Sequence, residues 1–530
     1  MSKLLHQLIL KTKNGLFSAS GKFQALFFRH FWGKTRSYIC NQSVIQGGVN
    51  ERNKVSYYSI TPFRQGNPLP LSMEQIILSL HTILMTKDLT SGPITKSLLL
   101  FALPMIMGNL LQQFYNIADT MIVGRFLGKN ALAAVGSSFA LMTFLTSIIL
   151  GLAMGSGVLF SMKFGEKDNR GLREASSSSF FIVLLTSIVL TVVAYAFLDL
   201  LKILMNIPDE VWPEMRDYLV VIFSGIIGIF LYNWFSSFLR ALGNSTIPLV
   251  FLAISAILNI GLDLCFVLVL KRGVKGAAEA TVISQYSSGI GVAIYTLLVS
   301  KESRFSIKHV DKKTIGEVTN FSFLTCLQQS VMNLGILMVQ GRVNSFGPVV
   351  MAAFSTGVKI DAFAYMPLQD YGNAFSTFTA QNYGAGKKER IKKGMRVAFI
   401  TSLLFSIIIS LIVFILSPSL MELFVGSEEL EIISVGTGYL RVEGAFYALI
   451  GFLFLFYGLY RAVGKPSMSF ILTIISLGTR VLLSYTISNI PNIGVYGIWW
   501  SVPIGWLLAD IVGAIYYMKK KPLEIIETTK

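Results

Sequence analysis

Three polar side chains, Asp119, Asn259 and Asp263, stand inside long stretches that are otherwise apolar. An ionisable group in hydrocarbon is expensive unless it faces a cavity, the protein interior or a partner. Gln112, Tyr115 and Asp119 are spaced i, i+3, i+7, and Asn259 and Asp263 are spaced i, i+4, so each set lies on one helix face. Two carboxyls brought together in a weakly hydrated site can share a proton near neutral pH. With neighbouring amide and hydroxyl oxygens they can equally form a hard-oxygen nest for Na+. Any one of these groups alone could instead cap a helix end or satisfy a structural need. Together they point to reversible binding of H+ or Na+, and the residues leave both open.

Other chemistries find no support. Cys40, Cys265 and Cys326 are far apart, and His6, His30, His81 and His309 are scattered without a second ligand at helical spacing, which argues against disulfides and a transition-metal centre. No phosphate-binding glycine loop follows a strand signal, so energy has to come from elsewhere, such as an ion gradient. The net charge of +17 fits basic cytoplasmic loops rather than nucleic acid. No cofactor is implied beyond H+ or Na+. The expected partners are a small amphipathic substrate and membrane lipid, with no nucleic acid, for a chain acting as a monomer.

The elements that position these groups are membrane helices. The chain has 530 residues, 53% hydrophobic and only 14% charged, and uncharged runs such as 180–198 and 400–416 are close to the ~20 residues needed to cross a ~30 Å core. Continuous runs, rather than short alternating strands, exclude a porin-like barrel. Twelve spans are predicted, near 96–120, 131–160, 176–198, 217–239, 247–270, 277–299, 314–341, 350–379, 395–417, 435–460, 467–489 and 494–517, with the second and eighth long and interrupted by glycine. Basic loops at Lys163–Arg173, Lys301–Lys313, Lys387–Arg396 and Lys519–Lys521 fall on one side, and acidic loops at Asp209–Glu214 and Glu428–Glu431 on the other. By the positive-inside rule both termini are cytoplasmic, in a multi-pass protein of a cytoplasmic membrane.

Residues 1–85 are different: ten Lys and Arg face only Glu51 and Glu74, a balance of roughly +8, and no run is long enough to span. They read as a basic, weakly structured cytoplasmic extension or as the product of an upstream start, Met85 being a natural beginning. A third reading is adhesion to anionic lipid.

The remainder is repeated at an offset of roughly 220 residues. Phe126-Leu127-Gly128 with Ala133-Ala134 returns as Ser345-Phe346-Gly347 with Ala352-Ala353, and Phe164-Gly165 returns as Tyr383-Gly384. Arg240-Ala241-Leu242-Gly243 returns as Arg461-Ala462-Val463-Gly464, and Gly273-Val274 with Gly276 as Gly494-Val495 with Gly497. An even number of spans per unit keeps both copies in the same orientation. The fold class is therefore an all-α polytopic membrane protein of twelve helices in two parallel six-helix repeats, at 86–305 and 306–530, with a cavity between them suited to alternating access. Asp119, Asn259 and Asp263 align near Met338, Arg480 and Ser484, which confines the acidic set to the first repeat.

Ala118-Asp119-Thr120-Met121-Ile122-Val123-Gly124, the Arg240-Ala241-Leu242-Gly243-Asn244 loop and the Asn259/Asp263 pair resemble the multidrug and toxic compound extrusion (MATE) family, most of all its prokaryotic damage-inducible-type branch, over residues 92 to 518. The resemblance implies a prokaryotic antiporter that exports amphipathic, often cationic drugs in exchange for protons or sodium ions. It assigns ion coupling to Tyr115, Asp119, Asn259, Asp263 and Thr281, with Na+ at Asp119, Asn259, Asp263 and Thr281 as one possibility. Pro104 matches the bending proline of the first helix. Where one branch has an acid in the seventh span, this chain has Met332, with Gln328 and Gln329 near it. An ion and a cationic substrate are then expected to compete for one negative site, the condition for exchange.

Pro104 lies 15 residues before Asp119, roughly 22 Å along a helix, and removes a backbone hydrogen bond, so the first helix can bend there when Asp119 is neutralised. The plainer reading is that Pro104 shapes the helix entrance. Gln112, Phe114, Tyr232, Trp234 and Met332 are candidates for the cavity wall, though such residues in membrane helices are more often plain packing. Lys359, Asp361, Asp370, Glu279, Glu443, Arg480 and Asp510 also fall in or near spans, as lining or paired groups. Arg480 keeps a rival alive, a lipid-linked oligosaccharide flippase with a basic cavity; the acidic first repeat favours cation export. An enzyme or receptor would need a catalytic His/Asp/Ser cluster or an odd span count, and neither is found.

Overall fold

The computed structural model describes residues 45–48, 57–60, 88–204, 207–300 and 312–524. In the unit formed by residues 1–79, β1 (Ile45–Gly48) and β2 (Tyr57–Ile60) pair antiparallel, with Ile45 opposite Ile60. The rest of the basic extension lies outside the described residues.

The second unit is all helical. In chain order come α1 (Ile94–Phe126), α2 (Lys129–Gly165), α3 (Asn169–Ala196), α4 (Leu198–Leu204), α5 (Trp212–Ser224), α6 (Ile226–Ala241), α7 (Thr246–Asp263) and α8 (Gly273–Val299). The second repeat has α9 (Lys312–Asn344), α10 (Pro348–Gly384), α11 (Lys388–Val425), α12 (Leu430–Gly444), α13 (Tyr447–Ala462), α14 (Pro466–Thr486) and α15 (Tyr496–Lys520). Ten of these, two of them with a short helical extension, are long and apolar enough to span, and the bent pairs α5–α6 (41°) and α12–α13 (51°) complete the twelve. The first bend falls at Gly225, where a Cβ would overlap the Gln285 side chain.

Boundaries moved where local capping outweighs hydropathy. The third span starts at Asn169 rather than near residue 176, because the Asp168 side chain accepts the Gly171 N–H at 2.8 Å and caps a polar first turn. The long second and eighth spans are unbroken, 37 residues each. Both are entered through a glycine in left-handed backbone, Gly128 (φ 91°) and Gly347 (φ 96°), which explains why that residue recurs in both copies.

Small residues bring the repeats together. Gly151 and Gly155 of α2 lie against the backbone of Cys326 and Phe321 in α9, where any Cβ would collide. Beside them Ser156 Oγ lies 2.8 Å from Ser322 Oγ. The packing is reciprocal at the other inner helices. Leu98, Phe101, Ala102 and Met105 at the start of α1 join the apolar core of the second repeat, while Val318, Phe321 and Cys326 at the start of α9 join that of the first. Helix α1 thus belongs by sequence to one repeat and rests at its entrance on the other.

Candidate functional site

Within the first repeat, α1 supplies Tyr115 and Asp119, α7 supplies Asn259 and Asp263, and α8 supplies Thr281. Asp263 is fully buried and Asn259 nearly so. The Asn259 amide donates to Thr281 Oγ1 at 3.4 Å, and the carboxyls of Asp119 and Asp263 lie within hydrogen-bonding reach of each other. Tyr115 bonds Gln112, one turn back along α1. A π-helical turn, Leu264–Val269, follows Asp263 directly; such wider turns often accompany functional sites. Tyr218 of α5, buried and close enough to feel the charge of both carboxyls, was missed from the sequence, since nothing in its spacing links it to them.

Asp119 Oδ1, Asn259 Oδ1 and both oxygens of Asp263 are buried without a donor. The surrounding atoms are oxygens of carboxyl, amide, hydroxyl and phenol groups. That chemistry fits a proton or a hard monovalent cation, either of which would offset the repulsion between two adjacent carboxylates. Among the described residues no group of three His, Cys, Asp or Glu is placed to hold a metal ion.

A separate cavity of about 170 Å³ lies between the repeats. Pro104 and Gln112 of α1 and Tyr232 of α6 are on its wall, with Gln329 of α9 and Asp370 of α10 among the residues facing them. Three other wall candidates are elsewhere. Trp234, 1% exposed, is in the core of the first repeat, its indole N–H donating to Ser179 Oγ at 3.0 Å and its ring stacked on Phe238. Tyr232 and Trp234 are two residues apart, about 200° around a helix, so only one of them can face the cavity. Phe114 is related to Gln112 in the same way; it is 62% exposed and meets Phe363 at 5.9 Å between ring centres. Met332 is half-buried and is not on the wall either.

Asp119 and Asp263 are not among the residues on this cavity's wall, and α1 runs from the wall to the carboxyl pair. Pro104 and Gln112 touch the cavity, Gln112 bonds Tyr115, and Asp119 follows one turn later. Helix α1 runs continuously through Pro104.

A second buried polar cluster joins groups that the sequence marked only as lining or paired. In the second repeat, Tyr447 donates to Asp361 Oδ1 at 2.6 Å, and Asp361, Glu443 and Arg480 adjoin one another. Acidic groups are therefore not confined to the first repeat. Repeat alignment could not find this cluster, because its two acids have no counterparts in the first copy and its members come from three different spans. Asp510, also in the second repeat, is buried with neither carboxyl oxygen bonded.

The MatE family model matches residues 104–265 and 322–486, one stretch in each repeat. The chain is 30% identical to the probable multidrug resistance protein YpnP of Bacillus subtilis (strain 168), over 81% of this chain and 96% of the relative. It is 27% identical to the probable multidrug resistance protein NorM of Thermotoga maritima, over 79% of this chain and 90% of the relative. An outward-facing MATE transporter of the MOP superfamily has the same fold, with a TM-score of 0.78 and 23% identity over 83% of this chain and 99% of that one.

Proposed function

The chain belongs to the MatE family of multidrug efflux transporters, and from that premise we propose that it is an antiporter driven by protons or sodium ions, exporting amphipathic, cationic small molecules by alternating access. Its setting in this reading is the cytoplasmic membrane of a prokaryote, with both termini inside and the lobes 86–305 and 306–530 rocking as a monomer. The relatives named above give the flippase alternative no support.

One observation carries the proposal: the Asp119–Asp263 contact and the cavity wall share a single helix, α1. Entry of H+ or Na+ between the carboxyls removes their repulsion and draws α1 toward α7. Asp119 is its point of attachment and Pro104, lacking the N–H that would brace the preceding turn, is its hinge. Bending moves Gln112 into the cavity and expels cargo. Outward release of cargo is thereby tied to ion binding, although the two ligands bind at different places. An amine on the cargo would find its counter-charge at Asp370.

Dye efflux in everted vesicles, with proton and sodium gradients imposed separately, tests this reading. One of the two gradients alone should drive transport. Efflux indifferent to both would overturn ion coupling.

A further inference from the structure

The loops after α2 and α10 are equivalent in the two repeats: Gly165 and Gly384 end those helices, and α3 and α11 begin 219 positions apart at Asn169 and Lys388. Their charges are not equivalent. Across 163–177 four Lys and Arg meet three acids, a balance of +1, and the acids are engaged, Glu166 with Lys163 at 3.1 Å and Glu174 with Arg170 at 2.8 Å. Across 382–396 six Lys and Arg meet Glu389 alone, a balance of +5. Two reversals make much of the difference, Asp168 aligning with Lys387 and Glu174 with Lys393. Four basic residues already satisfy the positive-inside rule in the first loop. The second loop carries a surplus that orientation does not require.

The surplus is gathered at one edge of the second repeat. Tyr517, near the end of α15, lies close enough to Lys392 for their charges to interact, so the Lys519–Lys521 run joins the same face. Lys392 and Lys521 have acidic partners in Glu389 and Glu524. Lys393, Arg396, Lys519 and Lys520 are exposed, and among the described residues no acid pairs with any of them. Each helix passes directly from charge to hydrocarbon. Lys393, Arg396, Ile400, Leu403 and Ile407 follow one another along one exposed strip of α11, and Ile511, Ile515, Met518 and Lys519 along one exposed strip of α15. An acyl chain resting on these apolar strips brings its headgroup to the basic residues. We infer that this edge is a binding site for an anionic phospholipid, its phosphate held by Lys393 and Arg396 beside Lys519 and Lys520, its chains lying against α11 and α15. The planar donor fork of arginine suits a phosphate, and each Lys or Arg near an anionic headgroup favours binding about fivefold.

The test titrates the full chain in detergent micelles with phosphatidylglycerol or phosphatidylcholine of identical chains and counts bound lipid by native mass spectrometry. Phosphatidylglycerol should bind about tenfold more tightly. Lys393→Gln with Arg396→Gln should bring the two lipids within about twofold of each other. Lys167→Gln with Arg170→Gln, which removes the same charge from the first repeat, should leave the preference unchanged. Should the Lys393 and Arg396 double variant fail to fold, Arg396→Gln alone decides, with a fall of about fivefold expected. Equal affinity for the two lipids, or a preference lost as readily in the first-repeat variant, overturns the site. Displacement of the lipid by soluble glycerol phosphate at equal concentration assigns the surplus to a free phosphate and overturns it as well.

Discussion

Gly165 and Gly384, 219 positions apart, pack reciprocally: a Cβ on Gly165 would overlap the Gln381 carbonyl, and a Cβ on Gly384 would overlap the Met162 carbonyl, which is itself 219 positions before Gln381. The C-terminal ends of α2 and α10 therefore touch backbone to backbone on the side of the basic loops, and the contact obeys the symmetry of the repeat. In the transport reading this contact is the seal between the repeats on that side.

Replacing either glycine by alanine should wedge this seal open. Overpacking of this kind costs about 1–3 kcal/mol, here charged to the closed arrangement. A cysteine placed at Asn373 in an otherwise cysteine-free chain should become several-fold more reactive toward an impermeant thiol reagent added on the basic-loop side. Unchanged reactivity in a folded Gly165→Ala protein would show that the contact does not act as a seal.

Pro104 should matter for turnover more than for binding. Pro104→Ala restores a backbone hydrogen bond and stiffens α1 between cavity and ion site. Dye affinity should stay within a few-fold of the unmodified protein while gradient-driven efflux falls by much more. Lost affinity would make Pro104 a binding residue, and unchanged turnover would reduce it to shaping the helix entrance.

The segment ahead of α1 is strapped to the second repeat. Arg390 donates to the carbonyls of Leu89, Ser91 (2.6 Å) and Gly92 (2.8 Å), Lys387 to Thr90, and Gln381 joins the Leu89 N–H to the Ala241 carbonyl. Arg390→Ala removes three carbonyl partners at once and should raise protease cleavage near residue 90 and lower efflux.

Burial opposes the charge of Asp88, yet hydrogen bonds from Thr90, including its N–H at 2.8 Å, together with Ser91 and Lys387 hold this carboxyl below its ordinary range. A depressed value means that its contribution is complete above about pH 4 and fades only as pH falls further. Asp88→Asn should therefore leave the pH profile of transport between pH 5 and 8 unchanged. A shifted profile would place a coupling proton in the strap.

Trp234 and Tyr232 separate core from cavity. Trp234→Ala should destabilise the fold by about 3–5 kcal/mol with dye affinity of the remaining folded protein unaltered. Tyr232→Ala should weaken dye binding with a smaller loss of stability. Comparing thermal unfolding with dye titration for both variants checks the assignment, which the opposite pattern would reverse.

What was legible in the chain followed its local physics. Hydropathy marks twelve spans because each must cross the same thickness of hydrocarbon, and the repeat shows through glycines such as Gly128 and Gly347, whose left-handed backbone admits little else. Asn259 and Asp263 could be put on one face because they share a helix. The contact of Asp361 and Glu443 with Arg480 was hidden, since it joins three spans whose order in the chain says nothing of their approach. Trp234 was misplaced because core and cavity walls in a membrane protein are both apolar, so residue type does not report which face of α6 looks inward. The strap at Leu89 was invisible for a related reason: its partners are backbone carbonyls, which every residue carries.

In this reading the Asp119–Asp263 pair couples ion entry to export. It is tested most directly in proteoliposomes of purified protein, by recording dye transport while a proton or a sodium gradient is imposed. Asp263→Asn keeps the volume of the side chain but removes its charge and its titration. The unmodified protein should respond to one of the gradients, and Asp263→Asn, correctly inserted and still binding dye, should respond to neither; Asp119→Asn should behave alike. Gradient-driven transport by folded Asp263→Asn at the rate of the unmodified protein would remove the pair from ion coupling.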